Sequence, residues 1–477
     1  MTRTEYETMI EENLENVLES AFLPELGELK KGKVRDIYFQ EDRAVLVTTD
    51  RISAFDFILS RCIPFKGAVL TGISEHNMKI ARNIIPTAVI DVPDANIMVQ
   101  KKMKNIGVEC VVRKYLWGSM ADSFEKGERE FCGIKLGEDL IRYQSLEEAM
   151  YTPTTKAEEG HDLPISFEDT VRLLGEDMAR RVMEKSISLF NRFSKEAEEL
   201  GLILIDTKYE FGVDEVGELH LIDEVNTPDS SRFCEREEWK RKFSAIRAKM
   251  KTGNFESVTH LLREESELKI EELSKQFVRD ALLEKGGGKV NELPDLNDRQ
   301  VIETSLKYIR LYERFVGRKF DFSLAKNPKK RIMENLRAGG YIYGGCVQLM
   351  AASPRDQRFC ERFAKSLEDN KIPYVGPFYA SAHKETHKVL EYIRKLDNSI
   401  EPVVIITSAG RSNGLGPVVA GNSRFPVISC NPYSDNEAYM ADVHSSLRMP
   451  SKLPLAVIID PGNAVLFAKR ILDIGGS

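Results

Sequence analysis

The sequence predicts two folded parts of different class, and the C-terminal part shows its class most openly. From Gly345 onward, apolar runs (CVQLMAAS, IPYVGPFYAS, PVVIITSAG, FPVISC) alternate with helical stretches that reach Asn370 and Leu396. Strands separated by helices imply an α/β domain with a doubly wound parallel sheet. The preceding sequence instead sets a hairpin among helical stretches. A chain of 477 residues also exceeds one ordinary core and suggests about two or three domains.

Composition narrows the class further. Hydrophobic residues at 42% and charged residues at 30% belong to a soluble globular protein. The formal net charge of −7 gives no basic face for nucleic acid. No apolar run approaches the ~20 residues that span a bilayer, so no membrane partner is expected. The acidic N-terminus, MTRTEYETMIEENLENVL, lacks the apolar core of a signal peptide. Cys62, Cys110, Cys132, Cys234, Cys346, Cys360 and Cys430 are scattered and odd in number, with no C-x-x-C pair. Reduced, mostly buried thiols in a cytoplasmic compartment are the expectation.

In chain order, residues 5–22 read as an amphipathic helix with Met9, Leu14, Val17 and Leu18 on one side. Lys31-Gly32-Lys33 follows, a turn that would let backbone amides and an ammonium approach phosphate. A polar turn is the competing reading. Ser53 and Asp56 lie in a strand-to-turn junction, where Ser53 would otherwise cap a short helix. Glu109 to Arg113 reads as a strand ending in arginine, and Gly118-Ser119 then opens a helix, an anion-binding arrangement. Lys156 sits in an extended, Pro-containing loop of hydroxyls. Ser166 with Asp169 forms a capping pair for one long helix to about Leu200, closed by Gly201.

The stretch 202–233 carries the densest chemistry. The apolar run Leu202 to Ile205 ends in Asp206, and strand periodicity sets Asp206, Lys208 and Glu210 on one face. A turn over Val213 to Gly217 leads to Leu219 to Ile222 and then Asp223-Glu224. Folding this hairpin brings Glu210 towards Asp223 with Lys208 nearby, which suits Mg²⁺ on a nucleotide, since that ion takes one or two carboxylates plus phosphates. Arg232, after Pro-Asp-Ser-Ser, offers a fork for phosphate or carboxylate. The competing reading is a solvated acidic hairpin with a surface ion pair. Residues 235–284 read as charged helix, and the glycines of Lys285-Gly-Gly-Gly-Lys289 as a connector. A last helix over 300–316 precedes a basic tether at 318–342.

In the second part, ligands belong beyond the C-terminal strand ends. The loops there are Ala351 to Asp356, Ser381-Ala-His383-Lys384 and Ser408 to Gly416. His383 and His387 stand four apart, but a zinc-protease order is lacking and no third ligand is evident.

Asp206-Thr-Lys-Tyr-Glu-Phe-Gly followed by Asp223-Glu-Val-Asn-Thr-Pro-Asp-Ser-Ser-Arg-Phe resembles the core of SAICAR synthetase. Lys31-Gly-Lys-Val-Arg-Asp-Ile-Tyr38 and Thr49-Asp-Arg-Ile-Ser-Ala-Phe-Asp56 resemble further signatures of that family. Ser381-Ala-His-Lys, Ala409-Gly-Arg-Ser-Asn-Gly-Leu-Gly-Pro417, Pro426-Val-Ile-Ser-Cys430 and Ser445-Ser-Leu-Arg-Met-Pro450 resemble AIR carboxylase of the class fused to SAICAR synthetase in animals. The resemblance covers about 25–322 and 345–472, and implies a synthetase domain at 1–322, a linker at 323–342 and a carboxylase-like domain at 343–477. It implies an α+β first domain of two lobes around an ATP cleft.

For function, the resemblance implies a bifunctional enzyme of purine synthesis. One domain makes CAIR from AIR and CO₂ without ATP, and the other joins CAIR to L-aspartate with ATP and Mg²⁺. Lys31, Gly32, Lys33, Lys208, Glu210 and Asp223 would bind ATP, with Glu210 and Asp223 holding the metal. Ser53, Asp56, Arg113, Ser119, Lys156 and Arg232 would bind ribotide or aspartate. His383 would shuttle the ring proton, a role suited to imidazole near neutral pH. Lys384 would attract the carboxylate, with Ser353, Asp356, Ser381, Arg411, Ser412, Asn413 and Gly414 around it. A homo-octamer is also implied.

Two departures stand out. The family's Gly-Ser-x-Ser-Asp loop is here Ala351-Ala-Ser-Pro-Arg-Asp356, without its glycine, and the chain stops at Ser477, where relatives continue into a further packing helix. The alternative they raise is an active ligase whose C-terminal domain serves assembly or ligand binding. A phosphotransferase with another acceptor is the second rival.

Overall fold

The computed structural model describes the chain apart from residues 1, 56, 157–162, 254, 276–277, 280–281, 283–294, 411, 434 and 476–477. Two compact units result. One comprises Met1–Glu19, Gly32–Arg35 and Glu41–Lys326, and the other Ser20–Lys31, Asp36–Gln40 and Asn327–Ser477. No helix among the described residues is long and apolar enough to cross a membrane.

The β1 strand (Leu29–Lys31) pairs antiparallel with β2 (Arg35–Phe39), Lys31 opposite Asp36. In the first unit, β3 (Arg43–Thr48), β4 (Val89–Asp94) and β5 (Ile97–Lys101) form antiparallel pairs, β5 lying between the other two. A second antiparallel sheet contains β6 (Lys104–Tyr115), β7 (Ser145–Tyr151), β8 (Leu202–Val213), β9 (Leu219–Ile222) and β10 (Ser231–Glu235). Its order is β7-β6-β8-β9, and β10 pairs with the first half of β8.

The face-switching of β8 positions the chemistry. Leu202 and Leu204 enter the main core, while Ile203 and Ile205 enter a second core with Trp117 and Tyr143. The register then shifts between Leu204 and Asp206. Beyond it Tyr209 and Phe211 return to the main core, so Asp206, Lys208 and Glu210 share the opposite face. Helices α1 (Lys66–Ala81), α2 (Gly118–Glu125), α3 (Glu176–Glu199) and α4 (Asp298–Val316) belong to the same unit.

Three sequence expectations need correction here. The N-terminal helix spans only Arg3–Glu11, and Leu18 is buried through an N–H bond to Asp50 rather than through a helical face. The capping box of Ser166 and Asp169 starts a helix, but it ends at Leu174, because Gly175 adopts φ +80° before α3 begins. The 235–284 stretch is not continuous helix. It forms helices Arg236–Thr252 and Val258–Glu264, then a 3-10 turn, Ser266–Leu268, and irregular chain in which Glu272 bridges Cys234. The glycines of 286–288 lie outside the described residues.

In the second unit, β11 (Cys346–Ala351), β12 (Tyr374–Tyr379), β13 (Val403–Ser408), β14 (Val427–Ser429) and β15 (Ala456–Val457) are all parallel, in the order β12-β11-β13-β14-β15. Helices α5 (Gln357–Asp369) and α9 (Pro461–Gly475) cover one face through Phe363, Leu367, Ala464 and Val465. On the other, α6 (Thr386–Leu396) and α7 (Leu415–Asn422) pack through Val389, Ile393, Leu415 and Val419. Helix α8 (Asn436–Leu447) follows β14. This is the doubly wound sheet expected. All seven cysteines are free, five of them buried. The stretch 318–342 contains a 3-10 turn, Phe322–Ala325, and a helix, Pro328–Ala338.

Candidate functional sites

In the first unit the polar face of β8 meets the ends of β6 and β10. Arg113 pairs with Asp206 across the ladder, and Arg232 lies opposite Asp206 on the other side. One buried carboxylate therefore holds two guanidiniums. Arg232 binds it through Nε at 2.9 Å and Nη2 at 2.7 Å, and Arg113 binds it through Nη1 at 2.5 Å. Burial pushes the Asp206 carboxyl up, but Arg232 and Arg113 outweigh it and hold it below its ordinary range. Gly118 has φ +54°, and a Cβ there would fall 2.2 Å from Arg232, so only glycine lets the guanidinium lie against the start of α2. Ser119 is exposed in the first turn of that helix.

A second buried charge cluster adjoins the first. Lys66, with no exposed surface, binds Asp229 at 2.8 Å, and the Tyr308 hydroxyl donates to the other Asp229 oxygen at 2.8 Å. Lys275 reaches Ser53 at 2.8 Å and lies 3.9 Å from Asp229. Burial lowers the Lys275 ammonium to about 8, Asp229 opposing and Lys66 reinforcing the shift. Between the two clusters opens a pocket of about 180 Å³ lined by Arg113, Arg232, Lys208, Lys275, Arg279 and Asp229. Five cations with few apolar neighbours suit a polyanionic ligand.

Further along β8, Lys208 bonds Glu109 and, at 2.9 Å, Glu210. Lys156 also pairs with Glu210. Burial would raise the Glu210 carboxyl, yet Lys208 and Lys156 together hold it far below its usual value. Asp223 follows β9 in a left-handed conformation, φ +62°, and pairs with Arg35, which also binds Glu224 at 2.5 Å. Gly32 closes a tight turn with Arg35, its N–H reaching the Arg35 carbonyl at 2.8 Å. A Cβ on Gly32 would lie 2.6 Å from that same oxygen. Lys33 is exposed on this turn and its carbonyl accepts from Arg51. Lys31 ends β1, exposed, in the second unit.

In the second unit, the loops after β11 and β13 meet at Asp356 and Gly410. A Cβ on Gly410 would lie 2.8 Å from Asp356 Oδ1, and the Gly410 N–H donates to this carboxylate. Asp356 Oδ2 is buried and makes no hydrogen bond among the described residues, and burial raises this carboxyl. The glycine-free loop is accommodated by a 3-10 turn, Pro354–Asp356, capped by the Ser353 side chain onto the Arg355 N–H. His383 packs against Gly414, whose Cβ position is 3.0 Å from His383 Cε1. Ser381 Oγ accepts from the Lys384 N–H, and Lys384 itself is exposed. Ser412 adopts φ +46°, and Asn413 is buried with its carbonyl accepting from Ser446. Asp356 and the Gly410–Gly414 loop thus converge with His383 at the C-terminal edge of the sheet.

Asp56 and Arg411 lie outside the described residues. Ser53, expected to cap a helix if structural, sits instead in a two-residue strand paired with Phe57–Ile58. Sequence reasoning missed Arg35, Glu109, Lys66, Asp229, Lys275 and Arg279. Lys275 was absorbed into a supposed charged helix, and Asp229 was read as part of a turn. The signal available for Asp229 was its place between Pro228 and Arg232, next to a fork already singled out.

Comparison with known proteins follows this division. The family model described as SAICAR synthetase matches residues 28–252, and the model described as AIR carboxylase matches 346–476. A phosphoribosylaminoimidazole-succinocarboxamide synthase of Cytophaga hutchinsonii is 38% identical over 311 residues, 64% of this chain and 93% of its own length. A Bacteroides fragilis protein of the same name is 37% identical over 316 residues, with 64% and 93% covered. Among solved structures, SAICAR-synthase from Saccharomyces cerevisiae complexed with SAICAR superposes with a TM-score of 0.53 at 31% identity, covering 64% of this chain and 99% of that one.

Proposed function

This chain belongs to the SAICAR synthetase family and carries an AIR carboxylase domain behind it, and from that premise we propose how its residues divide the work. The enzyme is bifunctional in purine synthesis. Its C-terminal domain carboxylates AIR to CAIR, and its N-terminal domain ligates CAIR to L-aspartate. The assembly-only alternative is not favoured, since the family models of both activities match this one chain.

In the ligase, ATP phosphorylates the CAIR carboxylate, and the aspartate amine then attacks the acyl phosphate, forming the C–N bond as phosphate leaves. Glu210 and Asp223 fit Mg²⁺ by their chemistry, being acceptor-only carboxylates whose charges are otherwise met by Lys208, Lys156 and Arg35. Mg²⁺ supplies charge neutralisation on the transferring phosphoryl group. Lys31, Gly32 and Lys33 form the phosphate segment, Gly32 keeping the turn tight enough for backbone amides to approach. Lys208 holds nucleotide phosphate from the β8 face. Arg113, Arg232 and Ser119 bind the ribotide, with Ser53, Asp56 and Lys156 on the ribotide or aspartate side.

The pocket of about 180 Å³ carries this reading: Asp206 pre-orients two guanidinium forks there, at one edge of the nucleotide face. In the carboxylase, His383 moves the ring proton and Lys384 draws in the carboxylate. Ser353, Asp356, Ser381, Arg411, Ser412, Asn413 and Gly414 surround the ribotide. The cytoplasm and a homo-octamer complete the proposal.

The test is ADP release with CAIR and aspartate. Glu210→Gln should abolish it, whereas Arg232→Lys should raise KM for CAIR and leave KM for ATP within about twofold, because a point charge replaces a fork. ADP release that does not need aspartate would instead establish a phosphotransferase.

A further inference from the structure

The turn that joins β8 to β9, with the first residues of β9, carries a cluster to which neither proposed activity assigns a role. Ligand atoms of Asp214, Glu218 and His220 all lie within 4.8 Å of one another. His220 Nε2 is 3.4 Å from Asp214 Oδ2 and 3.7 Å from Glu218 Oε2. Both ring nitrogens are shut off from solvent, and neither makes a hydrogen bond among the described residues. A buried imidazole with no hydrogen-bond partner is uncommon, because each such nitrogen forfeits its bond to water.

The geometry says what would satisfy it. Bonds of ~2.0–2.2 Å to a tetrahedral ion place ligand atoms roughly 3.4 Å apart, close to both separations measured from Nε2. The Asp214 carboxylate is already aimed. Its Oδ1 accepts the N–H groups of Val216 at 3.1 Å and Glu218 at 2.8 Å, leaving Oδ2 turned towards the imidazole. Lys101 approaches Oδ2 at 3.5 Å on a side chain 52% exposed, so it can swing into solvent. Glu218, 56% exposed, closes the third side.

We propose that Asp214, Glu218 and His220 bind a divalent transition-metal ion of the Zn²⁺ type. One imidazole and two carboxylates suit that borderline ion, whereas Mg²⁺ prefers an octahedral shell of oxygens. None of the three is a proposed ligase residue: Asp214 is four residues from Glu210 in sequence, and His220 stands opposite Gly212, two residues from Glu210, roughly 7 Å at strand rise. It clips the hairpin of β8 and β9, which carries Glu210 and leads into Asp223, at the turn end where Val213 pairs with Leu219. Its occupancy stiffens that hairpin without touching substrate.

The experiment titrates the EDTA-treated full-length protein with Co²⁺ as a spectroscopic probe and with Zn²⁺ by calorimetry. Glu218→Gln and His220→Gln serve as variants. Wild type should show a tetrahedral Co²⁺ absorption at one equivalent, displaced by Zn²⁺, and a melting temperature raised by Zn²⁺. His220→Gln should lose the band, and Glu218→Gln should bind about tenfold or more weakly. Glu218 is mostly exposed, so that variant keeps the fold, and its ligase activity should equal wild type. Both variants retain all seven cysteines, so thiol binding contributes equally to each. Identical Co²⁺ spectra and Zn²⁺ affinities in wild type and both variants would overturn the site.

Discussion

Asp206 shows how one residue sets the pocket proposed for the ligase. It is the counter-charge of Arg113 and Arg232; Arg113 and Asp206 are buried, and Arg232 is four-fifths covered. Removing one member of a buried ion cluster leaves the others unpaired, which costs about 3–5 kcal/mol. Asp206→Ala should therefore lower the stability of the first unit by that order in denaturant unfolding. Lys275 makes a pH-dependent prediction. Its folded value, lowered by burial to about 8, lies under the ordinary lysine value of 10.5. Between these pH values the unfolded chain binds more protons, so this group's contribution to stability rises as pH climbs from about 8 to 10.5. Anion affinity runs the other way, because the ammonium is lost first in the folded state. KM for CAIR should rise above about pH 8, and Lys275→Arg should move that limb upward.

At the scale of elements, the start of α2 and the bulged β8 do the positioning. Gly118→Ala would force φ +54° on a residue with a Cβ and drive that atom into Arg232. A tenfold or greater loss of kcat/KM for CAIR is expected, with the carboxylase rate unchanged. The face occupied by Asp206, Lys208 and Glu210 was legible, because alternation depends only on spacing. The bulge that returns Tyr209 and Phe211 to the main core was not, since register shifts leave no clear mark in one sequence. Helix lengths failed for a related reason. The one helix expected from Ser166 to about Leu200 runs through Gly175, whose φ of +80° makes two helices of it. The irregular chain up to Lys275 was hidden beneath a helical charge pattern, and with it the cation facing Ser53.

At the scale of the whole molecule, the parallel sheet was legible from strand–helix alternation alone, and its loops fall where ligand-binding loops belong. The partition was harder to read. Ser20–Lys31 and Asp36–Gln40 belong to the second compact unit, although they precede most of the first in sequence. Within that unit the Ile400 N–H bonds the Phe22 carbonyl at 2.9 Å, and Glu25 accepts from the Tyr343 and Gly344 amides. Such long-range pairings carry no local signature. With separate sites in one chain, the two activities should be separable by single substitutions.

The most direct measurement is conversion of AIR and bicarbonate to CAIR without ATP, then to SAICAR when ATP, Mg²⁺ and aspartate are added. Wild type, His383→Asn and Glu210→Gln would be compared. The account predicts that wild type completes both steps. His383→Asn should make SAICAR only from supplied CAIR, and Glu210→Gln should stop at CAIR. Failure of wild type to carboxylate AIR, or carboxylation undiminished in His383→Asn, would contradict it.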